Sequence, residues 1–107
     1  MKTKVTILNS IRRLREDLTH SYNMKKAISL GIELANDLKQ DAEVHFEVGQ
    51  TFYLYKKYSL ALPFLLKSQA LAPNNYFPSL LISNCYSDAG DWRQALPYAL
   101  IAKKLIK

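Results

Sequence analysis

Few side chains in this sequence could carry acid–base, nucleophilic or metal chemistry, and they are widely spaced. His20 and His45 are too far apart to form a pair of metal ligands on one helix face. Cys85 is the only cysteine, so neither an internal disulfide nor a thiolate metal cluster can form. Glu43 and Glu47 share a helix face, but a solvated face explains this spacing equally well. We therefore predict a protein that is not an enzyme, with no catalytic residue, no metal site and no cofactor.

Positive charge is concentrated at the N-terminal end of the chain. Residues 1–26 carry seven Lys or Arg against two acidic residues, whereas the remaining residues are nearly balanced. Such a cluster could contact phosphates, so a nucleic-acid-associated protein is one alternative. Aromatic residues are not interleaved with these charges, which removes the usual partners for base stacking, so we consider nucleic acid unlikely. A solvated terminal face or a contact with an acidic protein partner also explains the cluster of Lys2, Lys4, Arg12, Arg13, Arg15, Lys25 and Lys26.

Composition and length indicate one small folded domain. The chain has 107 residues, of which 49% are hydrophobic and 22% are charged, as in an ordinary globular protein. No apolar run approaches the ~20 residues that a membrane-spanning helix needs. Asn9 and Arg12 interrupt the apolar residues near the start, which argues against a signal peptide. We expect a single domain over residues 1–107, a cytoplasmic location and no contact with a membrane.

Residues 42–107 contain one pattern written twice, at a spacing of 34 residues. Small residues such as Gly49 and Ala61 allow two antiparallel helices to approach closely, and we expect these two to lie near each other. Phe52 is large and would fill the space beside that contact, and Pro73 would end the second helix. Adding 34 takes Val48 to Ile82, Phe52 to Tyr86, Tyr58 to Trp92, Ala61 to Ala95 and Pro63 to Pro97.

This period of paired helical segments resembles the tetratricopeptide repeat (TPR) family. The residues that carry the resemblance are Gly49, Phe52, Tyr58, Ala61, Leu65 and Pro73. It implies an all-α, right-handed solenoid of antiparallel helix pairs, with about three repeats over residues 8–41, 42–75 and 76–107. The first repeat is degenerate, since Arg15 stands where Gly49 stands in the second. Terminal repeats often depart from the pattern in this way.

The helix boundaries can be predicted from capping residues and turn residues. Asp41 and Asp91 can each accept a hydrogen bond from the free amides of a first helical turn. Gln94, three residues after Asp91, completes a pattern close to a capping box, and Gly90 marks the preceding turn. We predict six helices over approximately residues 5–19, 23–38, 41–55, 58–71, 75–89 and 91–106.

The resemblance also implies a function in protein–protein interaction. In this family the first helix of each repeat lines a concave groove, where an extended peptide or a helix binds. The corresponding positions here are largely apolar and aromatic, with basic residues at one end, which favours a hydrophobic or amphipathic ligand. An adaptor or a chaperone, with an architecture like that of small bacterial three-repeat chaperones, is the predicted function. The candidate groove consists of Arg12, Arg13, Phe46, Gln50, Tyr53, Leu54, Phe77, Leu80, Leu81 and Asn84.

The last predicted helix has more apolar residues than one packing face requires. We expect Ala95, Ala99 and Ala102 to face the preceding helix. Repeat arrays usually end in a helix with a polar outer face, whereas further apolar residues follow here. This C-terminal edge is predicted to contact a second copy or another partner, or to be covered in a longer native protein. A self-assembling structural subunit is therefore a second alternative, with contacts through Leu96, Leu100, Leu105 and Ile106.

Overall fold

The computed structural model describes residues 4–17 and 24–106, and within those ranges all regular structure is α-helical. The described helices are α1 (Lys4–Asp17), α2 (Met24–Asp37), α3 (Ala42–Leu54), α4 (Tyr58–Leu71), α5 (Tyr76–Asp88) and α6 (Trp92–Leu105). The predicted all-helical fold with six helices is thus confirmed over these ranges. The bounds of α3 to α6 lie within one residue of the prediction. The predicted end of the first helix and start of the second fall outside the described residues.

Side-chain caps explain where three of these helices begin. Asp41 accepts a hydrogen bond from the amide three residues on, at 3.1 Å. Asn75 accepts one from the amide two residues on, also at 3.1 Å. Asp91 accepts from the amide of Gln94 at 3.2 Å, and the Gln94 side chain donates back to Asp91 at 2.7 Å. The predicted caps at Asp41 and Asp91 are therefore confirmed.

The helices pack as sequential neighbours around one apolar core. α3 packs against α4, α4 against α5, and α5 against α6, while α3 also contacts α1, α2 and α5. This arrangement places the first helices of successive pairs beside one another, which is what a surface shared by α1, α3 and α5 requires. The core side chains are Leu8, Ile11, Leu34, Ala35, Val44, Val48, Phe52, Ala61, Leu65, Ile82 and Cys85.

A glycine allows close approach at each of two helix–helix contacts, α3 with α4 and α2 with α3. Gly49 on α3 lies against α4, as predicted, but its nearest neighbour there is Leu65 rather than Ala61. Ala61 is itself fully buried one helical turn earlier on α4. Gly31 on α2 lies against the ring of Phe52, where an added Cβ would be 3.1 Å from the nearest ring carbon. The first helix pair therefore uses Gly31 to dock on α3.

No helix in the described ranges is long and apolar enough to cross a lipid bilayer.

Candidate functional site

The histidine and the cysteine that the structure describes are both used for packing. His45 is buried on α3, and its Nδ1 lies 2.8 Å from the carbonyl oxygen of Asp41. Its ring packs beside Phe64, with 6.4 Å between centroids. Cys85 is buried, and burial raises the pKa of its thiol to about 12, so it is a poor nucleophile near neutral pH. His20 lies outside the described residues, among which no group of three metal-ligating side chains occurs.

One cation of the N-terminal cluster is paired with acidic residues. Lys4 Nζ lies 3.1 Å from an Asp41 carboxylate oxygen and 3.1 Å from a Glu43 carboxylate oxygen. Hydrogen bonds to Glu43 and then to Asp41 raise the pKa of Lys4. Burial acts to raise the pKa of Asp41, but the Val44 amide and Lys4 together lower it below its usual value. Lys4 therefore ties α1 to the start of α3, and its charge is compensated within the protein.

Arg12 and Arg13 are both exposed on α1, where the prediction requires them. Arg12 Nη1 donates to Asn9 Oδ1 at 3.2 Å, a contact within the same helix. These two guanidinium groups are the basic end of the candidate groove. The rest of the predicted basic cluster, Lys2 and the side chains of Arg15, Lys25 and Lys26, lies outside the described part of the structure.

The predicted groove residues occupy α1, α3 and α5, and each of them keeps some exposure to solvent. Leu54 and Phe77 are the most open of the apolar members, with 57% and 48% of their surfaces exposed. Three others, Phe46, Tyr53 and Leu81, are half-buried and pack partly against the core. Such side chains can offer an outer surface to a ligand while the fold holds their positions. The half-buried members are Phe46, Gln50, Tyr53, Leu80, Leu81 and Asn84.

Two aromatic rings join α3 and α5 within this surface. Phe46 and Phe77 lie with ring centroids 6.2 Å apart and planes inclined by 51°, a geometry favoured by aromatic pairs. Tyr76 also stacks on Phe77, at 4.2 Å between centroids. The Phe77 ring is therefore held by two aromatic neighbours although nearly half of it is exposed.

Tyr53 links three helices rather than standing free. Its hydroxyl donates to an Asp88 carboxylate oxygen at 3.1 Å, and its ring lies 5.9 Å from that of Tyr58. Burial, followed by the hydrogen bond to Asp88, raises the pKa of Tyr53. Sequence reasoning did not find this hydrogen bond. The spacing of 35 residues, one more than the repeat period, was the available signal that α3 and α5 bring these residues together.

The packing face of α6 differs from the one predicted. Ala95 and Ala102 are buried as expected, but Ala99 is exposed. Tyr98 takes its place and stacks on Tyr86 of α5, with 6.0 Å between centroids. Spacing alone does not decide between the two positions, because 98 and 99 both lie within about 60° of 95 and 102 around the helix. The rotation of α6 against α5 buries the side of Tyr98 and exposes that of Ala99.

The predicted C-terminal edge is largely uncovered. Leu96, Leu100 and Ile106 are exposed, and Leu105 is half-buried. Trp92, which the prediction did not include, is the most exposed of the large hydrophobic residues in the described ranges. The spacing of four residues between Trp92, Leu96 and Leu100 was the signal that could have added it, since such residues share a helix face.

Known structures share this arrangement of helices. A structure of MamA from AMB-1 superposes with a TM-score of 0.76 at 23% sequence identity, covering 94% of this chain and 55% of that one. The Yersinia enterocolitica type III secretion translocator chaperone SycD gives a TM-score of 0.72 at 16% identity, covering 92% of this chain and 75% of that one. The CopN–Scc3 complex gives a TM-score of 0.71 at 18% sequence identity, covering 92% of this chain and 60% of that one. No protein-family model and no curated protein matches the sequence.

These superpositions, together with the 34-residue period, define the fold as a TPR-like helical repeat. The resemblance that the sequence predicted is thereby confirmed at the level of the fold. The chain spans about half the length of the MamA structures from AMB-1 and MSR-1.

Proposed function

We propose that the protein is a protein–protein interaction module, an adaptor or a chaperone, and not an enzyme. The binding site is the candidate groove on α1, α3 and α5, and the ligand is an apolar or amphipathic peptide or helix of a partner protein. The observation that carries this proposal is the position of Phe77, which is nearly half exposed while its ring contacts those of Phe46 and Tyr76. Aromatic residues in such positions often dominate binding at protein interfaces.

The structural neighbours support an interaction function. SycD is described as a translocator chaperone, and the CopN–Scc3 structure is a complex of proteins. Both superpose on nearly the whole of this chain, so the helices that form the candidate groove have counterparts in them. A cytoplasmic location is part of the same proposal.

The charges at one end of the groove favour a particular orientation of the ligand. Arg12 and Arg13 are exposed at the α1 end, whereas the α3–α5 end is apolar and aromatic. An acidic residue at one end of the ligand would complement this arrangement and would mainly increase the association rate. Binding of nucleic acid is less well supported, because the charge of Lys4 is already compensated by Asp41 and Glu43.

The experiment begins with capture of partners from the native cell and their identification by mass spectrometry. Titration calorimetry then compares the parent protein with Phe77→Ala, Leu54→Ser, Tyr53→Ala and Leu81→Asp. Hot-spot truncations typically cost above ~2 kcal/mol of binding free energy. Phe77→Ala and Leu54→Ser are the sharper variants, since both side chains are exposed and their loss should leave the helical content unchanged.

Reversal of Arg12 and Arg13 to Glu tests whether the exposed basic residues of α1, rather than the apolar residues of the groove, carry the binding. We expect a small loss of affinity that is largest at low salt, because exposed charges act mainly on the association rate. Ile32→Ala, on α2 and outside the candidate groove, is the control for removing an exposed apolar side chain. If the arginine reversals abolish binding while the Phe77 and Leu54 variants bind normally, the groove is not the binding site.

A further inference from the structure

A row of large apolar side chains lies on the outer face of α6. Trp92, Leu96 and Leu100 are spaced four residues apart, so they form one stripe along the helix. Their exposed fractions are 75%, 59% and 53%. The stripe lies away from Ala95 and Ala102, the buried residues that pack α6 into the fold. We call Trp92, Leu96 and Leu100 the α6 stripe.

The 34-residue period shows what covers such a stripe elsewhere in the same chain. The positions 34 residues earlier are Tyr58, Leu62 and Leu66 on α4, and all three are half-buried. Gln69 continues that face of α4, and its side chain donates to Ser79 Oγ on α5 at 2.8 Å. The face of α4 that corresponds to the α6 stripe is therefore the face that meets α5.

We propose that the α6 stripe is a second binding surface, which takes one amphipathic helix with acidic flanks from a partner protein. This helix would lie on α6 as α5 lies on α4. α5 contains 13 residues, which sets the approximate length of the ligand helix. The surface is separate from the candidate groove, which is built from α1, α3 and α5.

The positive charge of α6 favours a ligand helix with acidic flanks. The helix carries Arg93, Lys103 and Lys104, all of them exposed, and its sequence contains no acidic residue. An apolar stripe on a helix whose charged side chains are all basic is complementary to a leucine stripe flanked by Asp or Glu. Acidic side chains on the ligand would pair with these cations at the edge of the interface.

The same charges disfavour a second copy of this chain as the occupant. Two copies that met through α6 would bring together three cations from each helix, and α6 has no acidic side chain to pair with them. The formal net charge of +6 adds repulsion between whole molecules. The earlier expectation of self-association through this edge therefore becomes an outcome of the test.

The test uses a synthetic peptide of about 18 residues, with leucine at helical spacing and glutamate on both flanks of the leucine stripe. A matched peptide has lysine in place of every glutamate. We expect the acidic peptide to bind more tightly than the basic one. The double variant Leu96→Ser/Leu100→Ser should weaken acidic-peptide binding by at least ~10-fold, because it removes two of the three apolar side chains of the stripe. Because the candidate groove also fits an amphipathic peptide, the parent and the double variant are compared in a background that carries Leu54→Ser and Phe77→Ala. Ile32→Ser, an exposed apolar residue on α2 outside both surfaces, should bind the peptide as that background does.

Other outcomes would contradict the proposal. Equal binding of both peptides, or no acidic-peptide binding at about 1 mM, would overturn it. Binding to vesicles of anionic phospholipid that is lost in the double variant, without peptide binding, would assign the stripe to a membrane surface instead. A concentration-dependent dimer that the double variant abolishes in sedimentation equilibrium would assign it to a second copy. Circular dichroism checks that the double variant keeps the helical content of the parent.

Discussion

Gly49 on α3 lies so close to Leu65 on α4 that no other residue fits at position 49 without movement. A Cβ atom added at Gly49 would be 2.7 Å from Leu65 Cγ and 3.2 Å from the Leu65 backbone nitrogen. Real Cβ atoms essentially never approach a neighbour as closely as 2.7 Å, so either Leu65 or the helix axis must shift. Leu65 is fully buried in the core, which leaves its side chain little room to move.

The first prediction is that Gly49→Ala and, more strongly, Gly49→Leu destabilise the protein. Overpacking of this kind costs roughly 1–3 kcal/mol of unfolding free energy, against which the better helix propensity of alanine is a smaller gain. Thermal and urea unfolding measure the effect. In a Leu65→Ala background the cost of Gly49→Ala should shrink, because the clashing side chain is gone. An unchanged cost in that background would show that Leu65 is not the cause.

The sequence predicted the helices well because their start and stop signals are local. Asp41 and Asp91 fix helix starts through bonds to amides three residues away, and Gly90 supplies the turn between two helices. The 34-residue period added the pairing of helices, since equivalent residues in successive units occupy equivalent places. Local capping and turn signals, together with the repeat length, were therefore enough to predict the fold.

Contacts between repeats were harder to predict than the helices themselves. The pairing of Lys4 with Asp41 depends on how α1 docks on α3, and the first repeat is too degenerate to give that register. Ala99 was predicted to lie on the packing face, whereas the rotation of α6 gives that place to Tyr98. The sequence placed the candidate groove residues on a shared surface, but binding by that surface stays a prediction.

The second prediction concerns Asp41, which both caps α3 and pairs with Lys4. Asp41→Ala removes both interactions and should cost about 1 kcal/mol, mostly from the lost cap. Asp41→Asn keeps a capping oxygen and loses only the charge, so it should cost less, because exposed ion pairs contribute little. Urea unfolding of the two variants measures the difference. Equal losses in both variants would show that the charge, and not the cap, is what matters.

The pH dependence of the Asp41 variants follows from the lowered pKa of this carboxyl group. A carboxyl whose pKa is lower in the folded than in the unfolded state stabilises the fold above its unfolded-state pKa, near 4. That contribution is lost as the pH falls through the folded-state pKa. The stability advantage of the parent over Asp41→Asn should therefore be constant near neutral pH and should disappear in acid. Lys4→Met should remove only part of this pH-dependent difference, because the hydrogen bond from the Val44 amide also lowers the pKa of Asp41.

The third prediction separates the two roles of Tyr53, a helix-linking contact and a groove residue. Tyr53→Phe removes the hydrogen bond to Asp88 but keeps the ring, and it should cost about 1 kcal/mol of stability or less. A double-mutant cycle with Asp88→Ala measures the coupling, because the two single losses should not add. If groove binding depends on the ring, Tyr53→Phe should bind the identified partner as the parent does, whereas Tyr53→Ala should not. Full additivity in the cycle would mean that the hydrogen bond contributes nothing.

The last prediction compares two turns that the repeat makes equivalent. Lys56 and Gly90 are 34 residues apart, and each has a positive φ angle, +60° and +87°. In both turns the following amide bonds to a carbonyl five residues earlier, from Lys57 to Phe52 at 2.9 Å and from Asp91 to Tyr86 at 2.7 Å. The two turns thus share a left-handed residue after the helix, a position that favours glycine over residues with a Cβ atom.

Exchanging the residue types at these turns should change stability in opposite directions. Lys56→Gly relieves the left-handed strain and should stabilise the protein by up to about 1 kcal/mol, while Gly90→Ala should destabilise it by a similar amount. A Cβ at Gly90 would meet no atom within 4 Å, so its cost is purely that of the backbone, unlike the steric cost at Gly49. Gly90→Asn is the control, because asparagine tolerates the left-handed region better than alanine does. Urea unfolding measures all three, and a Gly90→Asn loss as large as that of Gly90→Ala would contradict the backbone explanation.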